Sequence, residues 1–69
     1  MSDKPEMNVL YVMSDEAGRD SAAIGRVPAT GRTRFVVYSD DGTEHYVDMT
    51  DEVVRQLQAA LAWALNEDN

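Results

Sequence analysis

An α+β fold is predicted, a small antiparallel sheet of three to four strands in a meander packed by one C-terminal amphipathic helix. Three observations predict it. Short β-branched and aromatic runs alternate with turn residues through the first two thirds of the chain. Two such runs, 34–38 and 44–49, flank Asp40-Asp41-Gly42, a strong hairpin signal. From Thr50 onward the apolar spacing changes from alternation to that of a helix. The chain is organised around this stretch, Thr33 to Asn66.

Asn8-Val9-Leu10-Tyr11-Val12-Met13 fits a first strand. Both its sides are apolar, so it is expected to be covered on two faces or to sit centrally. Residues 14–20 read as a loop, since Gly18 and the Ser/Asp content argue against a long helix. Ser21 to Val27 reads either as a strand ended by Pro28, which pushes its predecessor toward extended geometry, or as one helical turn capped by Asp20 or Ser21. The strand is preferred. Pro28-Ala29-Thr30-Gly31 makes a turn.

The hairpin has two possible registers. A two-residue Asp41-Gly42 loop pairs Val37 with Tyr46, whereas a three-residue Asp40-Asp41-Gly42 loop with a left-handed Gly42 pairs Val37 with His45 and Phe35 with Val47. A one-residue slip turns a strand's side chains to the opposite face, so the choice decides the core. The three-residue loop gathers Phe35, Val37, Val47 and Met49 on one face. It leaves Arg34, Val36, Tyr38, Glu44, Tyr46 and Asp48 on the other, with Arg34 and both carboxylates expected to be wet.

Thr50 is an N-cap residue, and Asp51 and Glu52 suit the positive end of the helix dipole. Val53, Val54, Leu57, Ala60, Leu61, Ala64 and Leu65 form one apolar stripe. Trp63 falls outside it, beside Glu52, Gln56 and Ala59. Residues 1–7 are expected to be a flexible tail, 8–66 a single domain and 67–69 a frayed acidic tail.

With 69 residues the chain is near the lower size limit for folding on one core. No cysteine is present to staple it, and His45 is the lone histidine, so neither disulfides nor a zinc centre is expected. No cofactor is expected. No apolar run approaches the roughly 20 residues of a membrane span, and the first residues are polar, so a cytoplasmic protein without membrane contact is expected.

The net charge of -7 is unevenly spread. Residues 1–16 carry -3, residues 17–38 carry +3 through Arg19, Arg26, Arg32 and Arg34 against Asp20, and residues 39–69 carry -7. This balance disfavours direct binding of nucleic acid and favours a basic partner surface. It also serves solubility.

Motifs for chemistry fail on spacing. Gly25 and Gly31 are five residues apart inside the loop and are followed by Arg32, where a phosphate loop needs four and then Lys; Pro28 also removes an amide. Asp40-Asp41-Gly42 lacks the remaining ligands of a calcium loop. His45 near Glu44 and Asp48 is the one acid–base candidate, in a chain with little room for a pocket. No enzyme activity is expected.

The candidate contact residues are Asp40, Asp41, Glu44, Asp48, Asp51 and Glu52, read as a carboxylate stripe along one strand and its two ends, together with Trp63 as an interface anchor. In size, acidity, lack of cysteine and sheet-plus-helix layout the chain resembles small phage-encoded inhibitors of the anti-CRISPR and nucleic-acid-mimic kind. No residue motif carries that resemblance, and the central arginines depart from a uniformly anionic mimic. It implies a stoichiometric inhibitor that occupies the basic surface of a CRISPR effector or another nucleic-acid-binding protein. The alternative is a dimerising regulatory or accessory module, antitoxin-like, that uses the exposed side of the helix as a homodimer contact.

Overall fold

The computed structural model describes residues 5–67. It contains strands β1 (Asn8–Ser14), β2 (Asp20–Val27), β3 (Arg32–Tyr38) and β4 (Glu44–Met49), followed by helix α1 (Asp51–Glu67). The strands form one antiparallel meander in the order β1-β2-β3-β4, and α1 packs against β3 and β4. The α+β meander with a C-terminal helix is therefore the fold. Ser21 to Val27 is strand, as preferred, and one residue, Thr50, separates β4 from the helix.

Two of the three turns share one construction. Ser39 N–H donates to Thr43 O at 2.8 Å and Gly42 N–H to Ser39 O at 3.0 Å, leaving Asp40-Asp41-Gly42 as the loop. Asp15 N–H donates to Arg19 O at 2.8 Å and Gly18 N–H to Asp15 O at 3.0 Å, leaving Glu16-Ala17-Gly18. Gly42 and Gly18 have φ of 86° and 82°, the left-handed residue that a three-residue hairpin loop requires. The expected register of the second hairpin holds, with Phe35 opposite Val47 and Val37 opposite His45.

Burial is divided between the two sides rather than gathered on the expected face: Ala22, Thr33 and Met49 are buried on the Phe35 side, yet the strand residues between them are not. Opposed residues share a face, so Ala23, Gly25, Val36, Arg34 and Asp48 lie on one side, and Ala22, Ile24, Phe35, Val37 and Val47 on the other. Ala23, Val27 and Val36 are buried, and Arg34 is only 2% exposed. Phe35 is half-buried, while Val37 and Val47 are exposed. Arg34, expected to be wet, is thus a core residue, and only Met49 of the expected apolar set is fully covered.

The N-terminal segment covers the Arg34 side. Residues 1–4 of the expected tail lie outside the described residues, but Pro5 and Met7 are half-buried. Pro5 O accepts a hydrogen bond from Arg34 Nη1 at 2.8 Å. Met7 lies against Gly25, where a Cβ would sit 2.5 Å from Met7 Cγ and collide with Asn8 O. Gly25 is required for this close approach rather than for an unusual backbone angle.

Strand β1 was expected to be central or covered on both sides. It is an edge strand, and Val9, Leu10, Tyr11 and Val12 are all exposed, because the meander begins there. Register irregularities between Val9 and Tyr11 and between Met13 and Ser14 interrupt its pairing, a common device on sheet edges.

Helix α1 projects away from the sheet. Val54 and Leu57 are half-buried, and every residue from Gln58 to Asn66 is exposed. The molecule measures 47 × 32 × 16 Å with a radius of gyration of 13.6 Å, against about 11 Å for a compact chain of this length. No helix among the described residues is long and apolar enough to cross a membrane.

Candidate partner-binding surface

The charged groups sort into a structural set and a surface set. Arg34 belongs to the first. Its Nε and Nη2 donate to Asp48 Oδ1 and Oδ2 at 2.6 and 2.9 Å, a two-point fork, and its guanidinium lies 4.2 Å from the centre of the Tyr46 ring. The three donors are therefore aimed at Asp48 and at Pro5 O, while the flat face is covered by an aromatic ring. The hydrogen bond that Arg34 donates to Asp48 raises its already high pKa, against the opposing effect of burial. Asp48, expected in the surface stripe, is instead the half-buried counter-ion of this arginine.

The remaining carboxylates of the stripe separate. Strand β4 runs between the two ends of the sheet, with Asp40, Asp41 and Glu44 at its start and Asp51 and Glu52 beyond its end. Asp51 faces Arg26 Nη1 at 3.6 Å, an exposed ion pair at the helix start. Val53 N–H donates to Thr50 Oγ1 at 3.4 Å, so Thr50 occupies the cap position as expected.

A second acidic group comes from the β1–β2 turn, which the local sequence presents only as a loop. The meander brings the β1–β2 and β3–β4 turns to the same sheet end, where Asp15, Arg19, Asp20, Ser21, Tyr38, Ser39 and Asp40 line one shallow depression. Asp15, Glu16, Asp20, Asp40, Asp41 and Glu44 are therefore gathered at that end, with Arg19 the one basic residue among these two turns and their flanks. The signal was available: Asp15 to Gly18 repeats the acid-then-glycine spacing of Ser39 to Gly42, and two matching hairpin turns flanking a central hairpin must share an end.

Within this end the turns are internally braced. Asp15 Oδ1 accepts from Ala17 N–H and Arg19 N–H at 2.9 Å each, and its Oδ2 meets Arg19 Nε at 3.1 Å. Asp41 Oδ1 accepts from Thr43 N–H at 2.9 Å, and this bond holds the Asp41 carboxyl below its ordinary pKa. Among the described residues no group of three or more His, Asp or Glu side chains is placed to hold a metal ion. His45 is exposed on the open side of β4, lining an apolar depression with Phe35, Val37, Tyr46 and Val47.

Trp63 is 68% exposed on the outer half of α1. It lies outside the apolar stripe, so it neither covers the sheet nor shares a surface with the acidic end. The arrangement can present an anionic end and a separate apolar side to other molecules. No protein-family model, no curated protein and no solved structure matches this chain.

Proposed function

We propose that this protein acts stoichiometrically, by docking its acidic sheet end on a basic surface of a partner that otherwise binds nucleic acid. The observation that carries this reading is the convergence of Asp15, Glu16, Asp20, Asp40, Asp41 and Glu44 on one end of the sheet. Carboxylates on two braced turns offer an anionic edge, and complementary charge accelerates encounter with a basic groove. The partner class is a CRISPR effector or another nucleic-acid-binding protein. No reaction is catalysed in this reading, and the acids of β4 and the helix start, Asp48, Asp51 and Glu52, serve mainly the fold.

The test is a low-salt pull-down with the full chain, followed by competition with duplex DNA. A captured basic protein should be released by added DNA and by moderate salt. The Asp15→Asn, Glu16→Gln, Asp40→Asn, Asp41→Asn combination should lose binding by at least about tenfold, since each rim charge contributes modestly. Binding that ignores DNA, salt and these four substitutions would overturn the reading.

A second reading, a dimerising regulatory or accessory module, is favoured by a separate observation. The outer half of α1 keeps Ala60, Leu61 and Ala64 exposed on one stripe.

A further inference from the structure

We infer that a second copy of this chain completes the fold, each helix α1 lying across the open sheet face of its partner. The inference gives the second reading above a geometry, and it does not depend on the acidic sheet end.

The first argument is area. The chain exposes 5536 Å², where a folded monomer of 7.7 kDa exposes about 4,300 Å². The excess, roughly 1,200 Å², exceeds the approximately 800 Å² that each partner buries in a stable complex of standard size.

The second argument is that two of the exposed apolar surfaces fit one another. One is the sheet side bearing Tyr11, Ile24, Phe35, Val37 and Val47, of which Tyr11, Val37 and Val47 are exposed. The other is the stripe of α1 around Ala60, Leu61 and Ala64, with Leu61 58% exposed. A 17-residue helix is about 25 Å long. Strands of 6–8 residues span about 20–26 Å. Helix and sheet thus match in length.

The third argument is connectivity. Thr50 alone joins β4 to α1, shorter than the two to six residues that usually join a strand to a helix packed on its own sheet. The chain cannot reverse within this link, so the helix leans on β3 and β4 through its first two turns and then leaves. A short connection of this kind favours exchange of the element with a second molecule. Exchange about a two-fold axis uses both surfaces of both chains and closes, leaving nothing for further growth.

Charge decides whether two chains of -7 can meet. The carboxylates of β4 are on the opposite sheet side or at its ends, Asp20 stands on the open side only at the sheet end, and the Ala60–Leu61–Ala64 stripe includes none. The contact is dry and apolar, while the net charges repel at longer range. Salt therefore strengthens this association, whereas it weakens binding of the acidic end to a basic partner.

Sedimentation equilibrium of the full chain across a salt series tests this, joined to mixing of two single-cysteine variants. The expected result is twice the 7.7 kDa chain mass, with a dissociation constant that falls as salt is added. A short bismaleimide should join Leu61→Cys to Val37→Cys across chains in preference to Leu61→Cys with itself. Leu61→Asp should weaken association at least about tenfold, and a melting temperature that rises with protein concentration provides a readout should that variant unfold. A monomer at every concentration and salt would overturn the inference. So would preferential Leu61–Leu61 joining, which reports helix against helix. Loss of DNA-competed partner binding with the dimer intact would remove only the proposed function.

Discussion

The two sides of the sheet carry similar numbers of apolar residues and meet different fates. On one side Pro5 O and Met7 reach Arg34 and Gly25, Arg34 is forked to Asp48, and Ala23 and Val36 are buried. On the other side Val37 and Val47 face outward although they belong to the more hydrophobic pattern. Burial here follows what the chain can reach rather than which residues are most apolar. Residues 5–7 reach back over the sheet, whereas the helix, on a one-residue link, leans on β3 and β4 only through its first turns.

The largest effect should come from breaking the covered side. Arg34→Ala removes the fork to Asp48, the bond to Pro5 O and the stack on Tyr46 together. Thermal melts should show a loss on the order of 10 °C or more. Arg34→Lys should recover little of it, because an ammonium cannot supply the planar fork. A melt for Arg34→Ala within a few degrees of the parent would place the stability elsewhere.

Gly25→Ala tests the same side through shape alone. The new methyl would meet Asn8 O and Met7, so the N-terminal segment must shift, at a cost of about 1–3 kcal/mol by denaturant titration. Val47→Thr on the open side is its control and should change the stability of the dilute chain by no more than about 0.5 kcal/mol. Equal costs at the two positions would erase the distinction between the sides.

The smallest effect concerns Asp41. Its folded pKa is lowered by the Thr43 N–H bond, so its contribution is present above the ordinary aspartate range and is lost as pH falls through the lowered value. The acid limb of the parent's stability curve should therefore be slightly steeper below about pH 4 than that of Asp41→Asn. Superimposable acid limbs would show that the turn bond does not influence stability.

Local features were legible in the sequence and long-range ones were not. The Asp40-Asp41-Gly42 loop, the Phe35–Val47 register, the β2 strand and the Thr50 cap follow from residues close together in the chain. Arg34 was misplaced because an arginine on an alternating strand ordinarily points to water, and only its fork to Asp48 across the strand pair and its bond to Pro5, 29 residues away, reverse that. Gly25 read as an ordinary strand residue because its neighbour Met7 comes from a segment with no strand pattern. The acidic end was half legible: the Asp40–Glu44 group was seen, while Asp15, Glu16 and Asp20 joined it only through the meander. Trp63 stood out by its residue type, and its exposure places it away from both the core and the acidic end.

Residue-resolved hydrogen exchange at low and high protein concentration tests the central contrast most directly. Amides of β2 and β3 should be protected equally at both concentrations, since the side around Arg34 is completed within one chain. Amides from Gln58 to Asn66 should exchange rapidly in dilute solution and slow markedly as the helix finds a second sheet. Equal protection of the outer helix at every concentration would contradict the account, because the helix would then be held by its own chain.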